Sequence, residues 1–162
     1  MKNLLIMRHA KSSWKDSNLA DHERPLKKRG LKDAAEVGKI LKRKGLVPDK
    51  ILSSDAVRAA DTATVVADKC GYKNEIEFTD RLYMAESSAI IDLIHSQQNS
   101  VKTLLLVGHN PGMEALVQLL SRKIESLATA NVVFFQVDVK SWKDLTLESK
   151  VKLKNFWKPS RE

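Results

Sequence analysis

A single layered α/β domain is the fold the sequence predicts, and three features predict it. Strand-like apolar runs alternate with helical patterns over short connections. Residues 4–7 and 103–107 are almost unbroken apolar runs, the mark of strands buried on both faces. The 162 residues suit one domain, residues 1–162, with a core of its own. Both runs end at a histidine: His9 follows Arg8, and His109 follows Gly108. Ligands of open parallel sheets sit beyond the carboxyl ends of the strands, so two such strands side by side would bring His9 and His109 to one functional edge. A single histidine closing a strand is as readily a loop hydrogen-bonder; the repetition points to function.

The elements follow in order. After the first strand, residues 11–25 are polar and irregular, a loop at that edge holding Trp14, whose indole needs something to pack on. A helix is predicted over residues 28–44, with Leu31, Ala34 or Ala35, Gly38 and Leu41 at helical spacing and Gly45 as its stop. Residues 50–54 form a second strand, and Ser54 is read as the N-cap of a helix over residues 55–69 with Val57, Ala60, Thr64 and Ala67 inward. Arg58 falls in that helix's first turn, where the macrodipole disfavours a cation. An arginine there is sensible if it and the helix terminus hold an anion together.

Residues 76–78 read as an edge strand. Ser87 or Ser88 then caps a helix carrying Ile90, Ile91, Leu93 and Ile94. Beyond His109, Asn110 and Pro111 read as N-cap and first helical residue, with Met113, Leu116, Val117 and Leu120 inward. Strands over residues 131–139 and 150–156, joined by a turn, close the chain.

Composition narrows the classes. A formal charge of +8 favours an anionic partner. The basic residues are scattered, with no recognition helix or basic–aromatic motif, so no nucleic acid is expected and a phosphorylated substrate fits the sign of the charge. No apolar stretch approaches the ~20 residues of a membrane span, and no signal-peptide pattern is present. Cys70 is the only cysteine, which excludes an intramolecular disulfide and a CxxC site. The expectation is a monomer in the cytoplasm, with no membrane partner and no cofactor.

At the predicted edge stand Arg8, His9, Arg58 and His109, with Arg24 nearby. Guanidinium forks match phosphate oxygens, and a neutral imidazole is a competent nucleophile. Phosphoryl transfer asks chiefly for positioning and positive charge. A metal site fits less well: two histidines lack a third ligand, and arginines repel a cation. A serine nucleophile lacks its G-x-S-x-G elbow.

The motifs Met7-Arg8-His9-Ala10, Arg24-Pro25-Leu26 with Arg29-Gly30, Ser53-Ser54-Asp55-Ala56-Val57-Arg58-Ala59-Ala60-Asp61-Thr62-Ala63 and Val107-Gly108-His109-Asn110-Pro111 resemble those of the histidine phosphatase superfamily. The likeness is to its small SixA-type branch of phosphohistidine phosphatases, and it extends through Trp142 to the Phe156-Trp157-Lys158-Pro159 tail. It implies a phosphoglycerate-mutase-like three-layer α/β/α sandwich. It also implies His9 as the nucleophile that becomes phosphorylated, with Arg8, Arg58 and His109 on the phosphoryl oxygens. Arg24 matches a further pocket arginine, and Asn110 would offer its backbone N–H.

Larger members of the family place an acidic proton donor in the middle of the chain, where this sequence reads Leu82-Tyr83-Met84-Ala85-Glu86. Glu86 is the candidate acid; its other reading is a carboxylate favouring the nearby helix N-terminus. The connections are also too short for a substantial lid. An open site without a committed acid suits phosphohistidine on a protein surface, because imidazole, whose conjugate acid titrates near ~6.5, leaves with little help. A phosphatase of a small phosphomonoester or sugar phosphate is the alternative enzyme, and a non-catalytic phosphate-binding module the alternative from another class.

Overall fold

The computed structural model describes residues 1–160. One six-stranded sheet carries the fold: β1 (Lys2–Arg8), β2 (Lys50–Ser54), β3 (Glu77–Thr79), β4 (Thr103–Gly108), β5 (Val132–Val137) and β6 (Val151–Trp157). Their spatial order is β3-β2-β4-β1-β5-β6. β3, β2, β4 and β1 run parallel, whereas β5 pairs antiparallel with both of its neighbours.

Side chains alternate across β1, so Leu5 and Met7 feed one core while Leu4 and Ile6 feed the other. Helices α1 (Lys28–Arg43) and α2 (Val57–Cys70) cover the first face. Helices α3 (Ser87–His95) and α4 (Gly112–Leu120) cover the second. This is the three-layer α/β/α sandwich, and it explains why residues 4–7 are fully buried without a polar break. Trp142 lies fully buried in the second core, and its Nε1–H donates to the carbonyl of Val101 at 2.7 Å, satisfying the one polar atom of the indole.

Several local expectations shift. Ser54 does not cap α2. Asp55 still belongs to the sheet edge, its N–H donating to Thr79, and Ala56 takes the N-cap place with extended ψ. The inward face therefore rotates to Ala59, Ala63, Val66, Ala67 and Cys70; of the expected set only Ala67 faces the core. Thr64 is exposed and satisfies its hydroxyl on the carbonyl of Ala60. Leu31 is likewise exposed, because Ala34, Val37 and Leu41 carry the buried stripe of α1.

At the start of α4, Pro111 is the N-cap and Gly112 the first helical residue, one position later than the sequence suggests. The Asn110 side chain still serves that helix end, its Oδ1 accepting from the Glu114 N–H. In α3, Glu86 rather than a serine holds the N-cap place and makes no side-chain cap. Gly112 is required by packing: a Cβ there would lie 1.8 Å from the carbonyl oxygen of Ala85. That contact presses the segment before α3 against the start of α4, beside the carboxyl ends of β1 and β4.

Candidate active site

β1 and β4 pair in parallel with Arg8 opposite Gly108, so the residues that follow, His9 and His109, leave the sheet together. The His9 N–H donates to the Gly108 carbonyl at 3.0 Å, and the two imidazole centroids stand 5.1 Å apart. The end of β1 is pinned from its other side by Ala130, whose N–H is shared between the carbonyls of Arg8 and His9. Ala130 holds a left-handed φ of 60° to do so. Met84, on the cleft wall, has φ 52°, and these are the only non-glycine residues in that region among those described. Strain of this kind persists only where surrounding packing fixes it.

The cleft at this edge encloses about 350 Å³ and is lined by Arg8, His9, Lys11, Ser12, Trp14, Asp21, Arg24, Arg58, Met84, His109, Asn110 and Thr129. The six residues expected to meet, Arg8, His9, Arg24, Arg58, His109 and Asn110, therefore do line one cavity. Glu86 does not: it is exposed at the head of α3 and is absent from the cleft wall.

His9 Nδ1 lies 2.7 Å from the carbonyl oxygen of Ala10. A carbonyl only accepts, so Nδ1 carries the hydrogen and Nε2 keeps its lone pair. The Ala10 N–H is itself held by the Thr62 hydroxyl of α2 at 3.0 Å, which fixes the partner that fixes the tautomer. Burial, together with the charges of Arg58, Arg8 and Arg24, pushes the His9 imidazole down to about 4. It is neutral at physiological pH.

His109 is placed differently. Its Nε2 meets the Ser54 hydroxyl at 2.8 Å, and its Nδ1 is buried without a hydrogen-bond partner among the described residues. Burial first, then the neighbouring His9 and Arg58, pushes this imidazole down to about 3. The edge of Tyr83 packs against it, ring centroids 5.4 Å apart.

Arg58 and Arg24 are buried and share one anchor, whereas Arg8 is half-buried and held elsewhere. Arg58 is 3% exposed and donates to Asp21 twice, from Nη1 to its carbonyl at 2.7 Å and from Nη2 to its carboxylate at 3.0 Å. Arg24 donates from Nε to the same carboxylate at 3.2 Å and from Nη1 to Ser12 at 2.9 Å. Its guanidinium lies 3.4 Å from the centroid of the Trp14 ring, so the indole does have something to pack on. Arg8 reaches the Leu127 carbonyl through Nη1, and the Nε atoms of Arg8 and Arg58 are buried without partners among the described residues. A buried donor left unmade is costly. These two atoms and His109 Nδ1 belong to residues of one cationic cleft, and phosphoryl oxygens are the acceptors that fit it.

Asp21 was not legible as a site residue in the sequence; it looked like any loop carboxylate three residues before Arg24. In the fold it accepts from Tyr83, Arg58 and Arg24, which hold its carboxyl at about 2. Ser54 was legible as a strand end and helix cap, and both Ser54 and Thr62 as members of the motif around Arg58, but neither as a partner of the histidine segments. Both orient those segments, Thr62 through the Ala10 N–H and Ser54 through the His109 ring.

Comparisons with known proteins agree with this geometry. A family model for the histidine phosphatase superfamily (branch 1) matches residues 4–83. A chloroplastic protein of Arabidopsis thaliana is 34% identical over 152 residues, covering 88% of this chain and 70% of the relative. Among solved structures, SixA from Nakamurella multipartitia superimposes with a TM-score of 0.87 at 22% identity, covering 99% of this chain and 97% of the other. SixA from Agrobacterium tumefaciens gives 0.82 at 25% identity, with 98% of each chain covered. A protein histidine phosphatase SixA complexed with tungstate gives 0.80 at 20% identity, with 95% of each covered. Sequence motifs, sheet topology and the paired histidines converge: the chain belongs to the histidine phosphatase superfamily, as a phosphatase with the SixA-type fold.

Proposed function

We propose that this phosphatase works without a metal, through a phosphohistidine intermediate on His9, and acts on phosphohistidine carried by a protein. The observation that carries the substrate is the state of Asp21, the one carboxylate on the cleft wall among the described residues. Asp21 is held ionised by Tyr83, Arg58 and Arg24, far below neutral pH, so it has no proton to give a leaving group. An alkoxide needs such a proton, and its general acid contributes roughly 10²–10⁴-fold. Imidazole does not: transfer from one imidazole to another exchanges like for like.

In the reaction, Arg8, Arg58 and His109 hold the phosphoryl oxygens, with Arg24 and the Asn110 N–H at the rim. His9 Nε2 attacks phosphorus, the P–N bond to the substrate ring breaks, and that ring leaves with the electron pair. Where its other nitrogen carries a proton it departs as neutral imidazole. The His9 Nδ1–H stays on the Ala10 carbonyl throughout, stabilising the charged phosphoimidazole. Water then attacks phosphorus, His9 leaves as the neutral ring, and both water protons remain with the product phosphate. The tungstate complex of a SixA of the same fold supports an oxyanion site here. Arginines on the wall supply the charge that a metal supplies elsewhere and would repel one.

A substrate displayed on a protein also fits a cleft open to solvent, and a cytoplasmic setting belongs to this reading. No helix among the described residues is long and apolar enough to cross a membrane. The test compares a phosphohistidine peptide with a phosphoserine peptide of the same sequence, with and without a chelator. The expected result is a kcat/KM roughly 100-fold or more in favour of phosphohistidine, unchanged by the chelator. Equal rates on the two peptides would overturn the substrate, and loss of activity in chelator the metal independence.

A further inference from the structure

Beside the catalytic cleft runs a second groove, lined by Ser13, Trp14, Lys15, Pro25, Leu26, Lys27, Lys28 and Arg29. Trp14 belongs to both walls, so the groove continues the cleft rather than standing apart from it. We propose that it docks an acidic segment of the phosphorylated protein, flanking the phosphohistidine; this rests on the substrate class proposed above.

The groove is built before any partner arrives. The Ser13 N–H donates to the Pro25 carbonyl at 2.8 Å and the Lys27 N–H to the Lys11 carbonyl at 2.9 Å, with a bridge between Ser12 and Leu26 between them. Gly30 lets α1 close onto that floor, since a Cβ there would lie 2.2 Å from the Lys11 oxygen. Its apolar surface is Trp14, 72% exposed, together with Pro25 and the half-buried Leu26. An indole held by its stack on Arg24 is a rigid, exposed anchor of the kind that dominates recognition surfaces.

The charge around it is of one sign. Lys15, Lys27 and Lys28 are exposed, and none of their ammonium groups meets a carboxylate among the described residues. The first turn of α1 contains no acidic residue, although one would stabilise the helix there. Three unpaired cations around an exposed indole, opening from a phosphate site, complement a polyanionic peptide and repel a basic one.

The experiment reverses the charge away from the chemistry. Lys15→Glu, Lys27→Glu and Lys28→Glu are combined; acids at the start of α1 favour the helix, and a melting curve checks that the fold is kept. Parent and variant are assayed on free phosphohistidine, on a phosphohistidine peptide flanked by Asp and Glu, and on one flanked by Lys. In the variant KM for the acidic peptide rises roughly tenfold, KM for the lysine peptide falls, and kcat and the rate on free phosphohistidine stay as they were.

An unchanged KM for the acidic peptide, or an equal loss on free phosphohistidine, would overturn the docking surface. In either case the parent enzyme's turnover of free phosphohistidine leaves the catalytic reading standing. Should the parent enzyme turn over phosphoserine peptides and none of the three phosphohistidine substrates, the substrate class falls and the docking with it.

Discussion

The two strand-to-histidine segments look alike in sequence and lie side by side in the sheet, yet their imidazoles are bonded in opposite ways. His9 spends Nδ1 on a backbone carbonyl, which can only accept, and so is locked as the tautomer with a free Nε2. His109 spends Nε2 on the hydroxyl of Ser54, which can donate or accept, and keeps Nδ1 unpartnered. One ring is held in the tautomer that the proposed nucleophile needs; the other can adapt its hydrogen to whatever oxygen it meets. The difference teaches that roles are assigned here by the partner of the second nitrogen, not by the motif around the histidine.

Breaking the comparison at its stronger end has the largest effect. In the proposed mechanism His9→Ala removes the attacking atom, so activity on a phosphohistidine peptide should fall by roughly four orders of magnitude or more, with the circular dichroism spectrum unchanged. His109→Gln keeps the nucleophile but loses one stabilising contact, so kcat falls about 10²–10³-fold while a phosphoenzyme still forms. Equal losses in the two variants would erase the distinction between them.

Asp21→Asn loosens the arginines without touching either histidine. KM rises roughly tenfold, the worth of one charge-assisted hydrogen bond. A fall in KM would instead mark Asp21 as a competitor for the phosphate site.

The pH dependence sharpens the same contrast. Because both imidazoles are held below their ordinary value, to about 4 and about 3, the acid limb of kcat/KM lies near pH 4 rather than pH 6.5. Stability follows the same linkage. The unfolded chain takes up these protons near pH ~6.5 and the folded one only near 4 and 3, so their contribution is full above ~6.5 and is lost as pH falls towards 4 and 3. Denaturant midpoints measured from pH 7 to pH 4 should drop, and drop less steeply in His109→Gln.

The smallest effect is expected at Glu86→Gln, which changes the rate on a phosphohistidine peptide by less than about twofold, since that carboxylate is off the cleft wall. A large loss on the phosphohistidine peptide as well as on alkyl phosphates would make Glu86 a proton donor and favour the phosphomonoester alternative.

What was legible in the sequence follows from period and burial. The apolar runs of β1 and β4 could be only buried strands, and their ends fixed where His9 and His109 emerge. Arg58 was legible because a cation in a first helical turn is out of place. The register of α2 was not, because Asp55 looks like a helix-starting residue and only the sheet contact to Thr79 delays the turn. Asp21 was hidden for a different reason: its four donors come from segments at positions 24, 58 and 83, a convergence that no local pattern encodes. Glu86 was read from its place in the chain, and the tight contact of Gly112 with Ala85 is what places that segment with Met84, not Glu86, on the cleft wall.

The central claim is that His9 Nε2 takes the phosphoryl group. Rapid quenching with phosphorylated substrate, followed by mass spectrometry and phosphorus NMR of the trapped protein, tests it directly. The expected result is an acid-labile phosphoryl group on Nε2 of His9, absent from His9→Ala. A label on Nδ1, on His109, or persisting in His9→Ala would contradict it.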